Sequence, residues 1–69
     1  MKQKSVFEFG NEYVCTYFFD VDTNASGVDV SRDGEHIGSI IGLDIPEIDD
    51  EEENIEFDNQ VIQWISENE

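Results

Sequence analysis

The sequence predicts a small α+β fold: an antiparallel β-meander of three to four strands with one C-terminal helix packed on a face of the sheet. Three observations lead to this prediction. Apolar and polar residues alternate in the first half of the chain, two Gly-containing dipeptides fit tight hairpin turns, and the C-terminal residues repeat apolar side chains at helical spacing. With 69 residues, the chain is expected to form a single domain, residues 1–69, around a small core.

The first hairpin is predicted around Gly10-Asn11, a dipeptide that suits a two-residue turn with Gly first. Apolar residues alternate with polar ones on both sides of this dipeptide. The adjacent aromatic residues Phe18 and Phe19 must point to opposite faces of the sheet, so either both faces are partly covered or one of the two is exposed and available to a partner. The turn predicts three cross-strand pairs: Phe9 with Glu12, Phe7 with Val14, and Val6 with Cys15.

The second hairpin is predicted around Asp33-Gly34, the strongest short turn signal in the chain. Together the two hairpins are expected to cover residues 4–43. A regular strand after this turn would place His36 and Ser39 on opposite faces, which makes them a poor base–nucleophile pair. The turn predicts two cross-strand pairs: Val30 with Ile37, and Arg32 with Glu35.

The C-terminal helix is predicted at about residues 55–67, after an acidic loop at residues 44–54. Pro46 ends any strand pairing nearby because proline has no N–H to donate. Asn54 or Asp58 is the expected N-cap, since both side chains accept hydrogen bonds from free backbone N–H groups. The apolar stripe of the helix consists of Val61, Ile62 and Ile65, with Phe57 or Trp64.

Negative charge dominates the composition. The chain has 18 Asp or Glu residues, three Lys or Arg residues and a formal net charge of -15. Nine of the 15 residues from Asp44 to Asp58, which we call the acidic segment, are Asp or Glu, and no Lys or Arg follows Arg32. The helix dipole explains two or three acids near a helix N-terminus but not nine. Such a surface is expected to repel nucleic acid and anionic membranes, and to attract basic proteins or cations.

The cysteine count and the hydropathy pattern suggest a cytoplasmic protein. Cys15 is the single cysteine, so no intramolecular disulfide forms, whereas secreted domains of this size usually need one. No window approaches the roughly 20 apolar residues that a membrane span requires. Adaptation to high salt would also explain the excess of acids, but a chain with one Ala argues against it.

No residue pattern predicts an enzyme or a cofactor. His36 is the single histidine, and the chain has neither a glycine-rich phosphate loop nor Cys and His at metal-ligand spacing. The aromatic residues are expected in the core, because sheets that stack on nucleic-acid bases place their aromatics in a basic groove. The sequence therefore predicts a binding protein without catalytic activity and without direct contact with nucleic acid.

One segment matches the opening positions of a calcium-binding loop. Asp20, Asp22 and Asn24 have the D-x-D-x-N spacing of an EF-hand. The sixth position is Ala25 instead of the required Gly, and the twelfth is Ser31 instead of Glu. These residues therefore predict an ordinary turn, with weak cation binding as the alternative.

The charge distribution predicts binding to a basic, nucleic-acid-binding protein or nuclease. Carboxylates at a density similar to that of DNA phosphates would occupy its basic cleft, with Phe18 or Trp64 as an apolar anchor. A second candidate patch contains Asp20, Asp22, Asp29 and Asp33. The predicted contact residues of the acidic segment are Glu47, Asp49, Asp50, Glu51, Glu52, Glu53, Glu56 and Asp58.

In size and charge, the whole chain resembles the small acidic inhibitors that phages and mobile elements carry. Those inhibitors act on DNA glycosylases, restriction enzymes and CRISPR nucleases. The resemblance covers composition and length but no motif, so it assigns no role to any residue. Two alternatives stay open: an antitoxin or immunity protein that plugs the active site of a basic nuclease, and a structural or cation-binding acidic domain. A homodimer also stays open.

Overall fold

A computed structural model describes residues 2–68 as an antiparallel sheet with a single helix, which confirms the predicted α+β meander. The sheet has four strands in the order β1-β2-β3-β4, so each strand pairs with its neighbour in the chain. The elements are β1 (Gln3–Glu8), β2 (Asn11–Asp20), β3 (Ala25–Arg32), β4 (Glu35–Ile41) and α1 (Glu51–Asn68).

The first hairpin forms as predicted, but its turn and register differ from the prediction. The turn residues are Phe9 and Gly10, with φ angles of 53° and 76°. Val6 therefore pairs with Tyr13 rather than with Cys15. The predicted register was wrong by two residues, and a slip of two keeps every side chain on the same face. Hydrophobic alternation cannot distinguish two such registers.

The second hairpin turns at Asp33-Gly34, and Arg32 pairs with Glu35, as predicted. Both turn residues have positive φ angles, 53° and 84°, which identifies a type I′ turn. Farther from the turn the register shifts by one residue: Ser31 pairs with His36, but its neighbour Val30 pairs with Gly38, so Ile37 has no partner on β3. Ile37 is thus the extra residue of a β-bulge, so the predicted Val30–Ile37 pair was wrong.

The helix covers one face of the sheet, which we call the covered face, and it leaves the other face open. Trp64 packs directly over Gly38 of β4, where a Cβ atom would lie 2.5 Å from two atoms of the indole ring. Each large apolar side chain buried here stabilises the fold by roughly 1.5–3 kcal/mol. The buried core consists of Val6, Tyr13, Cys15, Val28, Val30, Leu43, Phe57, Val61 and Ile65.

The two ends of the sheet differ in what they contain. One end, which we call the turn end, has the two hairpin turns at Phe9-Gly10 and Asp33-Gly34. The opposite end, the acidic end, has the β2–β3 turn and receives the chain after β4. The helix begins at the acidic end, where Lys4 Nζ donates to the Asn54 carbonyl, and its last turns reach the turn end.

Candidate functional site

The acidic segment lies at the acidic end and forms both the connection to the helix and the first turns of the helix itself. The sequence predicted a loop as far as residue 54, but α1 begins at Glu51. Asp50 is the N-cap: its Oδ1 accepts a hydrogen bond from the Glu53 N–H at 3.1 Å. Three glutamates then occupy the first turn, where the helix dipole favours negative charge. The D-x-x-E spacing of a capping box was present in the sequence, inside the run that the prediction assigned to a loop.

Asn54 holds the connection against the helix. Its side-chain Nδ2 donates to two backbone carbonyls, Glu47 O and Asp50 O, at 2.7 Å each. The backbone adds a turn, in which Asp50 N donates to Glu47 O at 3.1 Å. These bonds fix the path of the acidic backbone from residue 47 into the helix. The prediction named Asn54 as a cap of a later helix, whereas it lies inside the first turns of α1.

Most of the predicted contact residues are exposed together at this end. Glu52 and Glu56 are four residues apart and therefore lie one helical turn apart, on the side of α1 away from the core. In the connection, Ile48 lies between two acids and is 98% exposed. The carboxylates exposed here are those of Glu47, Asp49, Asp50, Glu51, Glu52, Glu53 and Glu56.

Asp58, also predicted as a contact residue, has a structural partner instead. Its Oδ1 lies 2.7 Å from Lys4 Nζ, and both side chains are partly buried. The same ammonium group lies 5.1 Å from the centre of the Phe57 ring, within the range of a cation–π contact. Asp58 thus neutralises a lysine that the covered face of the sheet directs towards the helix.

The predicted second patch does not come together. Asp20 and Asp22 lie at the acidic end, while Asp33 lies in the β3–β4 turn at the opposite end. The eight residues of β3 separate the two ends by roughly 23 Å. Asp29, in the middle of β3, accepts a hydrogen bond from Ser39 Oγ at 2.6 Å on the open face. Only Asp20 and Asp22 therefore add charge to the end that contains the acidic segment.

The segment that resembles an EF-hand opening forms a turn. Asp20 Oδ1 accepts a hydrogen bond from the Asp22 N–H at 3.0 Å, the usual arrangement in an Asx turn. Asn24 completes the turn with a positive φ of 53°. Within residues 2–68, no three His, Cys, Asp or Glu side chains come close enough to hold a metal ion.

The two predicted apolar anchors are not the most exposed ones. Trp64 is partly buried over Gly38, and Phe18 is partly buried on the open face. Ile48 and Ile55, both within the acidic segment, are 98% and 60% exposed. Sequence reasoning missed these two isoleucines. The available signal was that neither fits the apolar spacing of the helix core.

An open groove of about 570 Å³ borders the acidic segment. Its floor includes the Tyr17 ring, and the Ile45-Pro46 stretch forms one wall. The groove thus combines an aromatic residue with three carboxylates and one lysine. Charged residues that line the groove are Lys2, Asp44, Glu47 and Glu53.

Cys15 is not positioned for nucleophilic chemistry. Burial raises the pKa of its thiol from the ordinary value of 9.0 to about 11, and the nearby Asp58 carboxylate raises it further against the opposing effect of Lys4. The thiol therefore stays protonated at neutral pH and packs as a small apolar side chain.

His36 and Ser39 share one face of the sheet, contrary to the prediction. The bulge at Ile37 turns His36 onto the open face, where its Nε2 lies 3.5 Å from both Ser39 Oγ and Asp29 Oδ1. The arrangement differs from a catalytic triad. The serine proton is directed at the carboxylate, and the carboxylate faces the same ring nitrogen as the serine rather than the opposite nitrogen.

No helix within residues 2–68 is long and apolar enough to cross a membrane. Comparison with known proteins finds no matching protein family, and no curated protein or solved structure with significant similarity. The feature of the molecule that points to a function is the set of exposed carboxylates at the acidic end.

Proposed function

We propose that the protein is a non-enzymatic inhibitor that occupies the basic cleft of a nucleic-acid-binding enzyme by presenting carboxylates in place of phosphates. The resemblance in size and charge suggests restriction enzymes, DNA glycosylases and CRISPR nucleases as target classes. The observation that carries the proposal is the row of exposed carboxylates that begins in the connection and continues along the first turns of α1.

The spacing of these carboxylates is close to that of charge on DNA. Four of the six residues from Glu51 to Glu56 are glutamates, and they extend over about 7.5 Å of helix axis. Duplex DNA presents one charge per about 1.7 Å, or about four charges over the same length. A cleft lined with Lys and Arg for phosphate binding would thus meet a similar number of negative charges.

A fixed backbone makes these charges more effective than a flexible acidic tail. The Asp50 cap and the two hydrogen bonds of the Asn54 amide hold the segment before any partner arrives. Less conformational entropy is then lost on binding, so more of the electrostatic attraction appears as affinity. The charge also steers a basic partner towards this end and accelerates association at low salt.

Two features add specificity to the charge. Ile48 offers an aliphatic side chain in the middle of the carboxylates, and apolar anchors often supply a large share of interface affinity. The groove beside Tyr17 offers an aromatic residue and the carboxylates of Asp44, Glu47 and Glu53 to a Lys or Arg side chain of the partner. A partner would therefore combine a basic cleft with one small apolar recess.

The test uses two variants with equal charge. In the segment variant, Asp49→Asn, Glu51→Gln, Glu52→Gln, Glu53→Gln and Glu56→Gln are combined, and the Asp50 cap is kept. The control variant neutralises five acids outside the acidic segment: Glu8→Gln, Asp33→Asn, Glu35→Gln, Glu67→Gln and Glu69→Gln. Each variant changes the formal net charge from -15 by +5, to -10.

Tagged wild-type protein and both variants are used to capture proteins from a bacterial lysate freed of nucleic acid. The columns are washed at about 0.05 M salt, where screening of charges is weak, and then at about 0.5 M salt, where it is strong. Any retained enzyme is identified, purified and assayed for DNA binding with increasing amounts of each protein.

The expected result is one basic nucleic-acid enzyme, retained at low salt, whose DNA binding the wild type and the control variant inhibit. The segment variant should inhibit at least about tenfold less well, because it lacks five of the charges that the cleft would bind. Equal inhibition by both variants would show that total charge, not the acidic segment, is responsible. Retention of many unrelated basic proteins, with no inhibition, would overturn the proposal.

A further inference from the structure

The open face of the sheet contains acids and apolar residues but no Lys or Arg from the described strands; its basic side chain is His36, whose Nε2 lies 3.5 Å from Asp29 Oδ1. Lys4 and Arg32, the Lys and Arg residues of those strands, pair with Cys15 and Tyr13 and so belong to the covered face. Glu12 and Asp29 belong to the open face, because their positions alternate with those core residues. The side chains of the open face therefore have a net negative charge, independent of the acidic segment.

Apolar side chains lie at both ends of this face. Phe7, near the turn end, is 72% exposed, and Val14 on the adjacent strand is its diagonal neighbour. Near the acidic end, Phe18 and the 66% exposed Ile41 lie on either side of Gly27 in one cross-strand row. Gly27 is needed there, because a Cβ atom would collide with the Ile40 backbone. Gly27, itself buried, adds no side chain to this row, so the row presents the apolar side chains of Phe18 and Ile41.

Between the apolar ends, four polar side chains are already hydrogen-bonded in two pairs. Gln3 Nε2 donates to Thr16 Oγ1 at 3.2 Å, and Ser39 Oγ donates to Asp29 Oδ1 at 2.6 Å. Covering these groups leaves their hydrogen bonds intact, so burial costs less than it would for unbonded polar groups. A partner can thus cover these four groups without making new polar contacts to them.

A second copy of the chain is a poor occupant. Three interstrand spacings of about 4.8 Å and three two-residue steps of about 6.6 Å give an area of roughly 300 Å². A stable interface usually buries about 800 Å² on each partner. Two copies would also bring Glu12 and Asp29 of one molecule against acids of the other, and each copy has a net charge of -15.

We infer that the open face is a second docking surface, for a protein segment that combines apolar side chains with Lys or Arg. The apolar side chains would contact Phe18 and Ile41 at one end of the face and Phe7 and Val14 at the other, while the basic ones would pair with Glu12. Because the area is small, the contact is weak by itself and adds to binding elsewhere. The inference goes beyond the proposed function and uses none of the residues of the acidic segment.

Two acetylated and amidated pentapeptides serve as probes: Lys-Phe-Lys-Phe-Lys and Lys-Ser-Lys-Ser-Lys, which have the same charge. Each is titrated into isotopically labelled protein at about 0.15 M salt, and amide shifts are recorded by NMR. A test variant combines Phe7→Ser and Ile41→Ser. A matched control combines Phe19→Ser and Val21→Ser, which change two residues off the open face with exposures of 53% and 78%.

The Phe peptide should bind at least about fivefold more tightly than the Ser peptide and shift the amides of Phe7, Val14, Phe18 and Ile41. The test variant should lose that preference, and the control should keep it. Equal binding of both peptides, with shifts confined to residues 47–56, would overturn the inference and leave the proposed function in place. Open-face shifts without any at residues 47–56 would support the inference and weaken the proposed function.

Self-association is measured separately by sedimentation of the wild type without peptide. A monomer is expected across the concentrations used for NMR. A dimer that the Phe7→Ser and Ile41→Ser variant abolishes would overturn the inference, because the occupant would then be a second copy.

Discussion

The two ends of the molecule are stabilised in different ways. At the turn end, α1 contributes packing: Ile65 is 2% exposed, and the last helical turns contain mainly neutral polar residues outside the core. At the acidic end, the same helix contributes three glutamates in its first turn and an aspartate cap. Packing needs no particular charge, whereas the caps and dipole interactions favour acids. The acidic end therefore tolerates a density of carboxylates that would serve no structural purpose at the turn end.

The largest expected effect on stability comes from the removal of a buried side chain of the helix. Ile65→Ala removes a buried side chain at the turn end and should lower the free energy of unfolding by about 2–5 kcal/mol. Ile55→Ala, at a position that is 60% exposed near the acidic end, should change it by less than about 0.5 kcal/mol. Chemical denaturation of both variants measures the difference. Similar losses in the two would show that the buried Ile65 side chain contributes no more to stability than the exposed Ile55 side chain.

The cap at Asp50 gives the next largest effect. Asp50→Ala removes the acceptor for the Glu53 N–H and should cost about 1 kcal/mol of stability. Asp50→Asn keeps an acceptor at the same place and should cost only a few tenths, since asparagine caps as well as aspartate. Thermal unfolding of the two variants measures this. If Asp50→Asn lowers stability as much as Asp50→Ala, the charge of Asp50 stabilises the helix rather than its hydrogen bond.

Phe9 and Asp33 occupy equivalent positions in the two tight turns, but only the aspartate suits the backbone conformation there. Phe9 and Asp33 both have φ angles of 53° and both precede a glycine. Aspartate tolerates this conformation, whereas a bulky side chain there costs roughly 1–2 kcal/mol. Phe9→Asn should therefore stabilise the protein by about 1 kcal/mol, and Asp33→Asn should have little effect. A loss of stability in Phe9→Asn would mean that the ring's contacts beside Tyr13 and Ile65 outweigh the backbone cost.

These turns also show how much of the fold the sequence could predict. Asp33-Gly34 was predicted correctly, because both residues favour the type I′ geometry that closes a hairpin. The turn at Phe9-Gly10 was missed, because phenylalanine rarely adopts a positive φ. The bulge at Ile37 was also missed. A bulge changes the pairing by one residue without a turn residue to mark it, and it reversed the predicted face of His36.

The acidic end was predictable in composition but not in role. The sequence showed which residues are charged, and the structure shows that Asp58 is paired with Lys4 while Ile48 is exposed between acids. Neither fact follows from local pattern. Lys4 and Asp58 are 54 residues apart in the chain, and their contact depends on which face of the sheet the helix covers. Alternation along a strand identifies two faces but does not say which face meets the helix.

The smallest expected effect tests whether the acids of the acidic end repel one another. Glu56 lies one turn after Glu52 and beyond the first helical turn, so its charge gains little from the dipole and opposes a like charge. Glu56→Gln should raise stability by a few tenths of a kcal/mol at low salt, and the gain should vanish near 1 M salt, where screening acts within about 3 Å. Glu12→Gln, which removes one charge from a strand, is the control and should show a smaller gain. Equal gains in both variants would indicate that only total charge matters. A gain confined to Glu56→Gln would indicate that crowding of carboxylates on the helix has a stability cost, as expected if those carboxylates are retained for binding.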